Sequence, residues 1–367
     1  MDWKRLLLTA CLAFVCLLPL AAQKDFDAAD GRITWVGRTL VQGGDVVFDW
    51  SGVYAIVEFY GNELKLRASD SGKDYFSVWL DRPDMTAEPD RTFCLSSRDT
   101  VVTVCEAPHI SHPVPHIAII QKRTEGEQGC VTFHRFYAED LRQARPPKER
   151  LLEFVGDSFT CGYGTLSHAA TDPFTPETED CNLTYAAVLA RYFDADYRLV
   201  AHSGMGVARN YGDKFAGWYM PDRYLQTFDE QKKPLWDAKG RPAPAMSVIY
   251  LATNDVSGRK QPSREAFVSN YLRLIRSIKD NYGAEHPVLC IVPQGRDLMF
   301  DYIKAAMLAC QMKNVSYMVL TGKVYDRRED LGASYHPNYQ GQPKRAHAIL
   351  PYISTITGWP MTGKVLR

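Results

Sequence analysis

One short stretch, Ala144-Arg145-Pro146-Pro147-Lys148-Glu149-Arg150, divides the hydrophobic patterning of this chain into two kinds. Proline locks φ and donates no backbone hydrogen bond, so adjacent prolines among charges cannot form a central strand and suit a connection between domains. Before it, residues 23–143 carry short β-type runs broken by turn residues; after it, residues 151–367 alternate apolar strands with helical patterns. The 367 residues are 46% hydrophobic, enough to bury a core on each side of the connection. Lys and Arg total 43 against 43 Asp and Glu, which leaves no basic footprint for nucleic acid.

In the first part the runs are Val46-Val47-Phe48, Tyr54 to Phe59, Leu64-Lys65-Leu66, Tyr75 to Leu80, Val101 to Val104, Ile117 to Ile120 and Val131-Thr132-Phe133. Several alternate with period two, and Gly43-Gly44, Gly61-Asn62, Ser71-Gly72 and Arg82-Pro83-Asp84 separate them. Strands this closely spaced, with no helical pattern between them, predict an all-β, jelly-roll-like sandwich. Trp35, Trp50 and Trp79 are expected in its core.

In the second part the apolar runs are Leu151 to Val155, Tyr197 to Val200, Ser247 to Leu251, Val288 to Val292 and Ser316 to Leu320. Ser263 can cap a helix carrying Phe267, Tyr271, Leu274, Ile275 and Ile278 on one face and stopping near Asn281-Tyr282-Gly283. Helical patterns also cover residues 184–193 and 298–312. Alternating strand and helix predict a three-layer α/β domain on a parallel sheet.

The first 22 residues differ from both parts. Lys4 and Arg5 precede an apolar run from Leu6 to Leu20, then Ala21-Ala22 leads into polar Gln23-Lys24-Asp25. The run is shorter than the roughly 20 residues a membrane span needs and small residues sit at the cut point, so a cleaved signal peptide and a secreted or periplasmic protein are expected. Lipoprotein anchoring through Cys11 is the lesser alternative, because it leaves only a stub of apolar run in front. Of nine cysteines, seven remain after cleavage, with no CxxC pair, which argues against a disulfide scaffold or structural zinc. Cys94 and Cys105 flank a strand and are either a hairpin bridge or two thiols. His109, His112 and His116 lie close together, but Pro108, Pro113 and Pro115 break any helix that would align them on a metal.

In open parallel sheets the active crevice lies beyond the carboxyl ends of the strands. The residues there are Gly156-Asp157-Ser158-Phe159-Thr160, His202-Ser203-Gly204-Met205-Gly206, Ala252-Thr253-Asn254-Asp255 and Tyr335-His336-Pro337-Asn338. This series resembles the SGNH, or GDSL, hydrolases, whose blocks contribute Ser, Gly, Asn and His in that order. The stretch from Gly156 to Gly164, Arg209-Asn210-Tyr211-Gly212 and His336-Pro337-Asn338 are similar to carbohydrate esterase family two, in which a β-sandwich precedes the hydrolase domain. The resemblance implies Ser158 and His336 as catalytic residues, Gly204 and Asn254 as the oxyanion hole, and an acetylated polysaccharide or oligosaccharide, such as xylan or glucomannan, as the partner. It implies no metal and no organic cofactor.

The residue types fit that chemistry. A serine hydroxyl needs an imidazole to take its proton, and the resulting oxyanion needs donors such as the Gly204 and Ser158 N–H groups and the Asn254 carboxamide. Many relatives carry an Asp three residues before the His; here Ala333 stands there. A distant carboxylate such as Asp330 or Asp326, a backbone carbonyl, or a degenerate site are the three readings, and some family-two members favour the carbonyl. His202 is the rival general base, read instead as a scaffold histidine, and Asp157 as a residue that bonds loop backbone. Trp218, Tyr219, Tyr224 and Trp236 either wall the cleft or pack their own loop. The competing functions are an SGNH lipase or thioesterase on longer acyl esters, and a non-catalytic glycan-binding protein.

Overall fold

The computed structural model describes residues 23–106, 114–295, 297–321, 324 and 328–366. The expected signal segment 1–22, His109, His112, Pro108, Pro113 and Asp326 lie outside the described residues.

Strands β1 (Lys24–Asp27), β2 (Thr34–Val36), β3 (Leu40–Gln42), β4 (Asp45–Phe48), β5 (Tyr54–Tyr60), β6 (Glu63–Asp70), β7 (Asp74–Leu80), β8 (Arg91–Leu95), β9 (Thr100–Glu106), β10 (His116–Lys122), β11 (Val131–Ala138) and β12 (Asp140–Arg142) build the sandwich. One antiparallel sheet runs β3-β4-β11-β6-β9 with β1 on β11; the other runs β12-β5-β10-β7-β8 with β2 on β5. Period-two patterning sets which residues face in: Leu64, Leu66 and Ala68 of β6 are fully buried, with Lys65 and Arg67 between them directed outward. In β11 the inward set shifts from Val131 and Phe133 to Phe136 and Ala138, because a bulge between Phe133 and Arg135 inserts one residue.

β5 does not alternate. Its Ala55, Val57 and Phe59 fill the sandwich core, while Tyr54 and Ile56 on the other face pack with residues of the second domain. A strand buried on both faces reads as a continuous apolar run. Trp50 and Trp79 are buried and Trp35 packs half-buried against Phe48 and Phe133. Cys94 and Cys105 are free thiols, and His116 is a strand residue bonded to Asp81 at 2.7 Å.

The second domain contains β13 (Leu151–Gly156), α1 (Ser158–Cys161), α2 (Tyr185–Tyr192), β14 (Asp196–Ala201), α3 (Met220–Arg223), β15 (Met246–Tyr250), α4 (Arg264–Tyr282), β16 (Val288–Val292), α5 (Asp297–Ala309), β17 (Val315–Val319), a two-residue pair β18 (Leu331–Gly332) and β19 (His336–Pro337), and α6 (Gly341–Thr357). The five main strands are parallel in the order β14-β13-β15-β16-β17. Helices α2 and α6 cover one face, α4 and α5 the other, giving three layers. The expected cap is present: the Ser263 hydroxyl accepts from Ala266 N–H at 3.1 Å, and the five predicted apolar residues of α4 are all fully buried. β17 departs from a core strand, since Ser316 and Tyr317 are exposed at the sheet edge.

The connection at 144–150 is pinned at both ends. Ala144 N–H donates to Arg32 C=O at 2.9 Å, Arg145 N–H to Glu58 at 3.0 Å, and Lys148 N–H to Asp196 at 2.7 Å. Further buried bonds join the domains: Trp50 Nε1 donates to Thr227 C=O at 2.9 Å and Arg38 to the carbonyls of Tyr224 and Gln226. Among the described residues no helix is long and apolar enough to cross a membrane.

Candidate active site

The order β14-β13-β15 reverses direction at β13, the point where a doubly wound sheet opens a crevice. β13 ends at Gly156, β14 leads into His202-Ser203-Gly204, and β15 leads into Asn254, so three of the four blocks meet there.

Ser158 is the first residue of the one-turn helix α1, and Asp157 caps it by accepting from Phe159 N–H at 3.1 Å. The turn is tight enough that a Cβ on Gly156 would lie 2.0 Å from Thr160 Oγ1, so glycine is required there. Burial pushes the Asp157 carboxyl up to about 7.

His336 enters from the loop after β18. Its Nε2 lies 2.8 Å from Ser158 Oγ, and its Nδ1 lies 3.2 Å from each of the carbonyl oxygens of Ala333 and Ser334. A carbonyl only accepts, so Nδ1 carries the hydrogen and Nε2 presents its lone pair to the serine. Ser334 (φ 52) and Tyr335 (φ 65) are both non-glycine residues in the left-handed region, a strain of the order of 1–3 kcal/mol each that aims the two carbonyls at the ring. Tyr163 lies against the imidazole with centroids 4.4 Å apart and Phe159 at 5.3 Å. Burial in this aromatic setting, with Arg345 adding to it, pushes the His336 pKa down to about 4 even though both carbonyls favour the protonated ring. Asp330 is turned away, its carboxylate held by Lys344 at 2.7 and 2.9 Å.

Asn254 ties the blocks together. Its Nδ2 donates to Met205 C=O at 2.9 Å and rests 3.3 Å from Asp157 Oδ2, between the Ser158 turn and the Gly204 turn. Gly204 has φ +78, which glycine adopts without cost, and its carbonyl accepts from Tyr211 N–H at 2.7 Å. Beside it a small pocket is lined by His202, Met205, Tyr211, Lys214 and Phe215.

Asp255, part of the third block, has no role assigned to it from the sequence. It is fully buried and accepts from three consecutive N–H groups, Val207 at 2.9 Å, Ala208 at 2.7 Å and Arg209 at 3.0 Å, which clamps the loop beyond Gly204. The only signal was its position next to Asn254. His202 is also fully buried, with Nδ1 2.7 Å from Asp229. Burial pulls its pKa down, but the Asp229 carboxylate and that hydrogen bond outweigh burial and hold it at about 9. Tyr224 and Trp236 pack around Arg38 at the domain interface, and Trp218 stacks under Arg223 at 3.9 Å.

Among the described residues, two groups of side chains bring three metal-type ligand atoms within 4.8 Å: Glu125, Cys161 and Glu179, and His202, Asp229 and Glu230. In the second, Arg223 already pairs with both carboxylates, Asp229 at 2.7 Å and Glu230 at 2.8 Å.

Comparison with known proteins places these observations. Residues 35–147 match the carbohydrate esterase 2 N-terminal family model, and residues 152–348 match the GDSL-like lipase/acylhydrolase model. The chain is 29% identical over 317 residues to cellulase/esterase CelE of Acetivibrio thermocellus, covering 84% of this chain but only 38% of that protein's length. It is 24% identical over 347 residues to an acetylxylan esterase / glucomannan deacetylase of Cellvibrio japonicus, covering 88% of this chain and 90% of that one. A solved family two carbohydrate esterase from Clostridium thermocellum, in complex with cellohexaose, superposes with a TM-score of 0.79 at 27% identity, over 89% of this chain and all of that one. The chain thus belongs to the GDSL-like lipase/acylhydrolase family, as an SGNH hydrolase related to carbohydrate esterase family two.

Proposed function

We propose that this protein is a carbohydrate esterase, exported after removal of residues 1–22, that removes O-acetyl groups from plant polysaccharides such as xylan or glucomannan, with catalysis carried by residues 151–367. The observation that carries the reading is the 2.8 Å contact between Ser158 Oγ and a neutral, carbonyl-oriented His336. The names of the relatives point to acetyl as the group removed and to xylan and glucomannan as its carriers.

In the proposed reaction His336 Nε2 takes the Ser158 proton as Oγ attacks the acetyl carbonyl carbon, and the carbonyl electron pair moves onto oxygen. Gly204 N–H, Ser158 N–H and Asn254 Nδ2 donate to that oxyanion; Asn254 gives up its long contact with Asp157 for the stronger, charge-assisted bond. Collapse expels the sugar hydroxyl oxygen, which receives the proton from His336. Water then attacks the acetyl-enzyme with His336 as base, the bond from Ser158 Oγ to the acetyl carbon breaks, His336 returns the proton to Oγ, and acetate leaves. Because the ring stays neutral down to about pH 4, its Nε2 lone pair is free to accept the Ser158 proton across neutral pH.

The test is acetate release from acetylated xylan and acetylated glucomannan, with a short-chain and a long-chain aryl ester alongside, by the wild type and Ser158→Ala. Polysaccharide deacetylation that Ser158→Ala abolishes is the expected result. A preference for the long-chain ester would reassign the enzyme to lipids or thioesters, and sugar binding without turnover of any ester would leave a binding protein.

A further inference from the structure

Glu125 belongs to the sandwich, three residues beyond the end of β10, yet its side chain ends among the catalytic turns. It is buried, and a single carboxylate oxygen, Oε2, accepts from Ser203 N–H at 2.6 Å and from the Cys161 thiol at 3.3 Å. Ser203 immediately precedes Gly204, and Cys161 closes the one-turn helix that Ser158 opens. One atom from the first domain therefore joins the oxyanion turn to the nucleophile helix of the second.

The surrounding contacts hold that atom still. Glu125 N–H donates to Glu179 Oε2 at 3.1 Å, and Arg123, two residues earlier, donates to the carbonyls of Glu177 and Glu179. On the other side the backbone at Gly126 approaches Asp229 so closely that a Cβ would lie 2.5 Å from the Asp229 Cβ. Asp229 in turn holds His202, and its own N–H donates to sandwich residue Asp49 at 2.8 Å. Around Gly204, the His202 side chain, the Ser203 N–H and the Gly204 carbonyl are each anchored, to Asp229, Glu125 and Tyr211. The Gly204 N–H lies between the last two anchors, so its direction follows from them.

We propose that Glu125 is a positioning residue, by which the sandwich domain sets the Gly204 oxyanion turn against Ser158 and so takes part in catalysis without touching substrate. The proposal rests on the esterase reading above. A preorganised donor is effective only while its geometry is held, and a displacement of about 1 Å can cost on the order of a hundredfold in rate. Such a loss belongs to the transition state, so it falls on kcat and leaves KM.

The experiment measures kcat and KM on an aryl acetate, and inhibition by methylboronic acid, which forms a tetrahedral adduct with the serine. It uses the full chain as wild type, Glu125→Gln, Glu125→Asp, Glu125→Ala and Ser158→Ala, each with its thermal midpoint. Glu125→Gln keeps an acceptor at the same reach, whereas Glu125→Asp keeps the carboxyl group but falls one methylene short. The expected result is near wild-type kcat for the Gln variant and a loss of roughly 10- to 100-fold in kcat for Asp and Ala, KM nearly unchanged and boronate affinity falling in the same order. Wild-type kcat in folded Asp and Ala variants, a change confined to KM, a Gln variant as impaired as Ala, or failure of all three to fold would overturn the proposal. Retained turnover in Ser158→Ala would instead overturn the esterase reading itself, whatever the Glu125 variants do.

Discussion

His202 follows the end of β14 and His336 begins β19, and their surroundings treat the two rings in opposite ways. His336 has Nδ1 against the carbonyls of Ala333 and Ser334, and its pKa is pushed down to about 4. His202 has Nδ1 against the Asp229 carboxylate, and its pKa is held at about 9. Both rings are oriented by a hydrogen bond at the same nitrogen, but only the carboxylate compensates the charge of an imidazolium. With only carbonyls beside it, burial leaves the His336 ring neutral, whereas the Asp229 carboxylate holds the buried His202 ring as a cation. On the proposed reading, a site without the usual Asp thus holds its general base neutral, while the histidine that does have an Asp is left to the scaffold.

The comparison breaks first at the proposed base. His336→Ala and Ser158→Ala are each expected to lower kcat on an aryl acetate by roughly 10,000-fold or more, and His202→Asn by far less. A collapse of turnover in a folded His202→Asn enzyme with activity kept in His336→Ala would exchange the two roles. Next in size is Asn254→Ala, expected to lower kcat by about 100- to 1,000-fold, corresponding to about 2.7–4 kcal/mol; near wild-type turnover there would remove Asn254 from the oxyanion hole.

His202→Asn is expected to act on stability instead, by about 3 kcal/mol, read by denaturant unfolding. The folded pKa of His202 lies above its unfolded value, so between about 6.5 and 9 the native state binds the extra proton and its stabilisation fades as pH rises. The gap between wild type and variant should be full below pH 6.5 and narrow toward pH 9. A gap that widens over that range would mean the buried ring is neutral.

The smallest effect concerns the acid limb of kcat/KM. For the wild type it should have its midpoint near 4, well below the value of a free imidazole. Ser334→Asp places a carboxylate two residues before His336, at an exposed position whose φ of 52 Asp tolerates, and should move that limb upward by up to about one pH unit. A downward shift would contradict the electrostatic account of the two rings.

Much of this was legible in the residues. The α4 face, the Ser263 cap and the change of architecture at the paired prolines follow from period and local chemistry, which act over a few residues. The bulge in β11 is less legible, because nothing in Phe133-His134-Arg135 states that two residues oppose one on β6. The roles of Asp255, beyond its place next to Asn254, and of Glu125 left no local mark: an acidic residue in a loop is ordinary until the N–H groups it accepts from are brought to it. β17 misled in the other direction, since an apolar run does not say whether it lies at the centre or the edge of a sheet.

Sequence by itself determined the two domains, the alternation that builds each, the three strand-end blocks with Ser158, Gly204 and Asn254, and the later block with His336. Those features depend on periodicity and on residue type, and both are local. Tertiary structure alone decided that two backbone carbonyls orient His336, that Asp330 turns to Lys344, that His202 pairs with Asp229, and that Glu125 crosses from the sandwich to hold Ser203. Backbone carbonyls are identical at every position, and a carboxylate selects its partner by distance in space. Neither choice is written in residue type, so both wait for the chain to fold.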